Sequence, residues 1–429
     1  MPNSTLQPAA LPLHRTVLNN GLVVLMAENA AADIVAARLF VRVGSRYEAP
    51  EKSGVSHLLT SVLTKGTAQK SSMQIAEQIE SVGASLGTDS SPDYCLLSLK
   101  TVSRDFAEML MLAAELLRSP SFPTSEVELE QRLTLQGIRS MQEQPFAVAQ
   151  KQLRQAMYGD HPYALPGLGT EETVSQLTRA DLLHFHQTHF RPDNLVISIT
   201  GRITPDEAIA LVSEAFGDWQ PPADETGAPL PLLYPPTPSV LSNPHRVATT
   251  QDTQQAIVML GYLAPAVHAE DYMALKLIST YLGNGLSSRL FVELREKQGL
   301  AYEVSAYYPT RLDTSQFIAY MGTAPGNVAI ALDGLHREVH RLAAEPLSED
   351  ELQSAKNKLL GQYALGKQTN AQIAQIYGWY ETLGLGIDFD TQFQGAIAQI
   401  TPEQAQSVAE RYFTKPYVSL VGPAAAIQE

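Results

Sequence analysis

The chain has 429 residues, 44% of them hydrophobic and 17% charged, and a formal net charge of −15 at pH 7. That length exceeds what one hydrophobic core usually serves and the composition is globular, so two folded domains are expected and intrinsic disorder is excluded. The acidic surplus disfavours phosphate backbones and anionic lipid, leaves neither nucleic acid nor membrane as an expected partner, and better suits a cleft for basic or neutral peptides.

Residues 1–13 lack the basic start and apolar core of a secretory signal. No later run offers the roughly 18 uninterrupted apolar residues of a membrane span, and a soluble, cytoplasmic protein is expected. From Val17 to Leu25 the pattern reads strand, turn at Asn19-Asn20-Gly21, strand; residues 36–43 follow as a strand with partial alternation.

The next element is a helix carrying His57-Leu58-Leu59-Thr60-Ser61. In the inverted zinc motif H-x-x-E-H, one helix face presents two imidazoles at i and i+4 with a general-base carboxylate between them. His57 fills the first ligand position, but Thr60 stands where the base belongs and Ser61 where the second ligand belongs. With the flanks Gly54-Val55-Ser56 and Leu63-Thr64-Lys65-Gly66-Thr67, the segment resembles the inverzincin metallopeptidases, the family of pitrilysin, insulysin and the mitochondrial processing peptidases.

The resemblance implies a distal Glu ligand on a later helix. Ser61 and Gly137 stand 76 residues apart, the span that in that family separates the second His from that Glu, and the surrounding Glu130-Gln131-Arg132-Leu133 matches the family's approach to it. A zinc site needs three protein ligands, and its attacking water needs a base. His57, Thr60, Ser61 and Gly137 are therefore read as degenerate positions, with no catalytic residue and no metal expected in this chain.

Further along, Ala84-Ser85-Leu86-Gly87-Thr88 occupies the place where the family presents a sheet edge to extended substrate; an ordinary edge strand is the alternative. Cys95 is the only cysteine, and its neighbours Leu96 and Leu97 mark it as a buried small hydrophobe. Ser125 with Glu128 reads as a capping box ahead of a helix, and Thr178 with Asp181 as the start of another. His161-Pro162-Tyr163 resembles a family segment near the cleft and is read as structural. His184, His186 and His189 lack an acidic or cysteine partner at a metal-site spacing, and suit instead the cationic end of a helix. Residues 195–200 form a strand.

Seven prolines between Pro221 and Pro238 make this stretch a semi-rigid extended linker. It divides the chain into residues 1–220, a linker at 221–240, and residues 241–429. The halves repeat one another at an offset of 223 residues: Pro123, Ser125, Glu126, Glu128 and Leu129 recur as Pro346, Ser348, Glu349, Glu351 and Leu352, and Thr178 and Phe190 as Thr401 and Phe413. Ser198 and Gly201 recur as Ser419 and Gly422, and residues 417–421 repeat the strand. Ser348 with Glu351 and Thr401 with Gln404 repeat the helix starts. The fold class is α+β: two homologous domains, each a mostly antiparallel sheet packed with helices, together half of a clamshell chamber.

In the second half, Ser287-Ser288-Arg289-Leu290-Phe291 leads to Arg295 and, seven residues on, Tyr302. This is similar to the family's C-terminal signature, whose Arg and Tyr contact the peptide opposite the zinc; a guanidinium and a phenol suit a peptide carbonyl or an oxyanion. Arg295 and Tyr302 are the substrate-binding candidates, and Arg289 is read as structural. The resemblance implies a non-catalytic subunit that supplies this pair to a zinc-bearing homologous subunit and its peptide substrate. A purely structural or binding subunit of a larger complex is the alternative, and an active enzyme with an unorthodox site ranks last.

Overall fold

The computed structural model describes residues 12–224, 226–233, 237–240 and 242–427. In the first half the strands are β1 (Leu13–Val17), β2 (Val23–Glu28), β3 (Ile34–Val41), β4 (Ser85–Ser90), β5 (Cys95–Val102) and β6 (Leu195–Gly201). The helices there are α1 (Val55–Val62), α2 (Ser72–Ser81), α3 (Phe106–Arg118), α4 (Thr124–Gln142), α5 (Pro145–Tyr158), α6 (Glu171–Gln176), α7 (Arg179–His189) and α8 (Pro205–Phe216). The second half adds β7 (Arg246–Thr250), β8 (Ala256–Ala264), β9 (Ala301–Tyr307), β10 (Ser315–Thr323) and β11 (Tyr417–Gly422). Its helices are α9 (Tyr272–Gly283), α10 (Val328–Ala344), α11 (Glu349–Leu365), α12 (Asn370–Thr382), α13 (Phe389–Gln399), α14 (Pro402–Tyr412) and α15 (Ala424–Ile427).

Two sheets result, ordered β1-β2-β6-β3-β5-β4 and β7-β11-β8-β10-β9. Apart from β1 the two orders correspond strand for strand, and each sheet has one parallel pair, β2 with β6 and β7 with β11, among antiparallel neighbours. The fold is α+β, with the repeated topology that the duplicated sequence requires. The first hairpin turns on Gly21, whose φ of 86° only glycine adopts without strain, and Leu18 and Leu22 close it with a backbone hydrogen bond of 2.9 Å.

The halves exchange helices. α5, from the first half, lies on β8 and β11 of the second sheet, while its repeat counterpart α12 lies on β3 and β6 of the first. Close approach is permitted by glycine on both sides. A Cβ at Gly378 of α12 would stand 2.5 Å from the Phe40 ring and 2.9 Å from Ser198 Cβ, and one at Gly261 of β8 would stand 2.5 Å from Met157 Sδ of α5. Polar contacts fix the register: Arg15 grips Glu381 at 2.9 and 3.1 Å, Asn370 donates to the Ile34 carbonyl at 2.9 Å, and Gln152 donates to Ser419 Oγ at 2.8 Å. One apolar cluster accordingly joins Val23, Leu25, Phe40 and Val196 to Leu260, Phe317, Tyr377 and Leu420.

Two local expectations are corrected. Ser125 does not cap α4: the helix starts at Thr124 behind Pro123, whose carbonyl takes the Glu126 and Val127 N–H groups, so the chain enters two residues earlier than the S-x-x-E pattern predicts. The boxes at Thr178, Ser348 and Thr401 do form. The proline-rich stretch is not simply extended, because Ala223 bridges Pro229 and Asp224 accepts from Thr226 and Ala228 around Gly227, folding a tight turn. Of its prolines, Pro235 and Pro236 lie outside the described residues. Among the described residues no helix is long and apolar enough to cross a membrane.

Candidate functional site

α1 begins at Gly54, which is left-handed with φ 96°, and its first N–H groups are met by a side chain from outside the helix. The buried Glu48 carboxylate accepts from Gly54 N at 2.8 Å, from Ser56 N at 2.9 Å, and from the Ser56 hydroxyl. A negative group at a helix N-terminus satisfies free donors and the helix dipole together. Burial nevertheless outweighs these donors and pushes the Glu48 carboxyl up to about 7. Leu58, Leu59 and Val62 fix the helix in the first-half core, which leaves His57 half-buried on the opposite face.

The two residues that replace base and ligand are turned onto their own helix. Thr60 Oγ1 donates to the carbonyls of Ser56 at 3.0 Å and His57 at 2.9 Å, and Ser61 Oγ donates to the His57 carbonyl at 3.0 Å. At Gly137, on α4, an added Cβ would meet nothing within 4 Å, so the distal position has room for a side chain and none is there. One imidazole facing two hydroxyls committed to the backbone and a glycine does not fit a zinc ion, and no group of three or more His, Cys, Asp or Glu that could hold a metal occurs among the described residues. Burial draws the His57 imidazole down, with Asp89 and Glu130 acting against it.

His57 opens onto a cavity of about 690 Å³ between the halves, walled also by Asp89, Ile138 and Met141 and, from α5, Lys151 and Arg154. Thr249 and Gln251 close it from the second half. Thr88 Oγ1 donates to the Thr60 carbonyl at 2.7 Å, which ties β4 to α1 and lays Asp89 and Ser90 along the cavity. β4 is the outer strand of its sheet, with one backbone edge that no strand pairs among the described residues.

Arg295 and Tyr302 are brought together, away from that cavity. Arg295 lies on a π-helical turn, Phe291–Glu296, and Tyr302 on β9, which holds in the second sheet the edge position that β4 holds in the first. Arg295 Nη1 donates to the Tyr302 carbonyl at 2.7 Å and its guanidinium covers the Phe291 ring at 5.0 Å. Tyr302 is 59% exposed, its ring presented to whatever lies outside this chain.

The remaining residues singled out in the sequence are structural. Arg289 is buried against Glu338 at 3.0 Å, and Cys95 is buried. His161 accepts the Tyr163 N–H at 3.0 Å. The expectation of a cationic helix end at 184–189 fails for two of its members: burial draws His186 down and takes His189 down to about 4, with His184 and Arg191 adding to the latter, so both rings are neutral packing groups at pH 7. Glu48, Asp89, Lys151 and Arg154 were not singled out in the sequence. No motif marks them, and only the folded wall of the cavity assembles them.

The family model for insulinase (peptidase family M16) matches residues 23–171, and the model for the peptidase M16 inactive domain matches residues 176–359. An uncharacterized zinc protease of Mycobacterium leprae is 30% identical over 96% of this chain and 92% of its own length. The chain belongs to peptidase family M16. A zinc protease of Bacillus subtilis, also uncharacterized, is 26% identical over 96% of this chain and 98% of its own length. Two crystal structures share the fold: a peptidase M16 inactive domain from Pseudomonas fluorescens, with a TM-score of 0.89 at 24% identity over 98% of this chain and all of that one, and a protease from Helicobacter pylori, with a TM-score of 0.88 at 21% identity over 96% of this chain and all of that one. This chain's second half matches the M16 inactive domain, and its first half keeps only His57 of the zinc motif.

Proposed function

We propose that this M16 chain is the non-catalytic, substrate-binding subunit of a two-chain peptidase. The observation that carries the reading is the contrast between its two motifs. Thr60, Ser61 and Gly137 have given up the base and two of the three metal ligands, whereas Arg295 and Tyr302 are kept side by side on an exposed edge where they serve nothing within this chain's own cavity. The zinc and the general base belong to a homologous partner subunit. This chain contributes the guanidinium and phenol that hold the peptide carbonyl, and half of the enclosing chamber.

Reconstitution tests this. The purified chain alone is expected to retain no zinc and cleave no peptide, and activity is expected when a zinc-bearing homologue of similar size is added. In the reconstituted enzyme Arg295→Ala should lower kcat/KM on the order of 10²-fold, the cost of removing one preorganised donor. An unchanged rate removes Arg295 from the substrate site, and failure to gain activity with any homologue favours a structural or binding subunit.

A further inference from the structure

The cavity beside His57 has one charged group on its wall with no opposite charge to meet it. Arg154, half-buried on α5, makes a single hydrogen bond, from Nε to the Ala164 carbonyl at 3.3 Å. A guanidinium has five N–H donors, so the remaining four have no protein acceptor among the described residues, and no carboxylate lies within ion-pair distance. The neighbouring carboxylates are committed elsewhere. Asp93 and Asp313 each stand 3.8 Å from Arg46; the Tyr163 hydroxyl donates to Asp93 at 2.5 Å, and His161 Nε2 lies 3.7 Å from Asp313. Arg46 and Arg311 thus take up Asp93, Arg46 also stands beside Asp313, and Arg154, which faces the cavity, is left without a carboxylate. Burial draws its guanidinium down and Arg311 adds to that, with Tyr307 and Tyr158 acting against them, so Arg154 stands half-buried without an anion beside it.

The rest of the lining does not supply one. Glu171 is held by Arg139 at 2.8 Å. Glu172 is kept below its ordinary range by its own backbone N–H and the Thr170 hydroxyl, with Lys151 as a weaker contributor. Asp89 takes the Ser90 N–H at 2.9 Å and faces His57. Beside the charges, Ile138, Met141, Val148 and Leu168 form an apolar wall, and the buried Gln251 Oε1 is an acceptor with no donor. Such a lining matches a peptide segment, with apolar side chains against the wall and a backbone N–H for Gln251.

We propose that the α5 wall of this cavity binds a carboxylate of the bound peptide, with Arg154 as its anchor and Lys151, at the exposed edge one helical turn away, as the guiding charge. The carboxylate is an acidic side chain or a free C-terminus; both offer the guanidinium a bidentate partner. This specificity rests on the peptide-binding reading above, and it reverses the preference for basic peptides that net charge alone suggests.

The test uses the full chain and four fluorescein-labelled decapeptides built of Ala, Leu and Gln, one with a central Glu and one with Gln in its place, each with a C-terminal carboxylate or amide. A charge-assisted hydrogen bond lost from a partly buried site costs roughly a factor of ten or more in affinity. The Glu peptides are expected to bind about tenfold tighter than the Gln peptides if the side chain is read, and the free acids tighter than the amides if the terminus is read. Arg154→Gln should erase that difference, Arg154→Lys should keep part of it, and rising salt should narrow it. Thermal unfolding checks that Arg154→Gln is folded, and if it is not, the peptide series on the unaltered chain decides alone. Equal affinity for all four peptides overturns the carboxylate site while leaving peptide binding intact. Absence of binding by any of them overturns the peptide-binding reading itself.

Discussion

Glu48 sets the pH response of the degenerate zinc helix. Its carboxyl is raised to about 7 by burial, against the pull of the Ser56 hydroxyl and the Gly54 and Ser56 N–H groups. In the unfolded chain it titrates near the ordinary 4.5. Between those two values the folded protein holds a proton that the unfolded chain has lost, so this group's contribution to stability is fully present below pH 4.5 and is lost as pH rises through 7. The loss amounts to roughly 3 kcal/mol for this group alone. Urea unfolding of Glu48→Gln is expected to show a shallower decline in stability from pH 5 to 8 than the unaltered chain; parallel curves would remove Glu48 as the cause. At the same scale, Thr60 and Ser61 show why the family motif could be read in the sequence while its chemistry was absent. The frame of small and apolar residues around His57 is a packing requirement of α1, and it persists after the ligands have gone.

Among the elements, α5 and α12 decide how the halves are joined. Each carries its apolar face to the other half's sheet, and each contact depends on a residue without a side chain, Gly261 under α5 and Gly378 within α12. The neighbour of Gly378 is the sheet itself, through Phe40 and Ser198, which cannot move aside as a flexible side chain can. Gly378→Leu is therefore expected to destabilise by roughly 1–3 kcal/mol or more through overpacking, read as a lower urea midpoint with far-ultraviolet dichroism preserved. An unchanged midpoint would mean that α12 does not sit this close. The edge strands β4 and β9 are the other instructive pair. The duplication places them at equivalent ends of equivalent sheets, so among the described residues the chain offers two backbone edges with no paired strand, one beside the cavity and one carrying Tyr302.

At the scale of the molecule, the exchange of helices predicts that neither half folds alone, because residues 1–220 by themselves would expose the face of β3 and β6 that α12 covers. Expressed separately, the halves are expected to be insoluble or aggregated, and expressed together to elute from size exclusion as one species; a monomeric, cooperatively folding N-terminal half would refute this. The duplication, the helix starts at Thr178, Ser348 and Thr401, and the frame around His57 were legible in the sequence, because capping, periodicity and motif spacing are local relations between residues a few positions apart. The start of α4 was not, since Pro123, two residues ahead of Ser125, takes the cap instead, and neither was the tight turn in the proline-rich stretch, which a closing strand bridge creates. His186 and His189 read as helix-end cations until burial made them neutral. Arg154 was an ordinary helix residue until α5 crossed to the other sheet and left it on the cavity wall without a carboxylate. The sequence by itself determined the family, the α+β class and the loss of the base and two of the three metal ligands. Which helix covers which sheet, and which charge is left without a partner, only the tertiary structure decided, because both depend on contacts between segments hundreds of residues apart that no local pattern encodes.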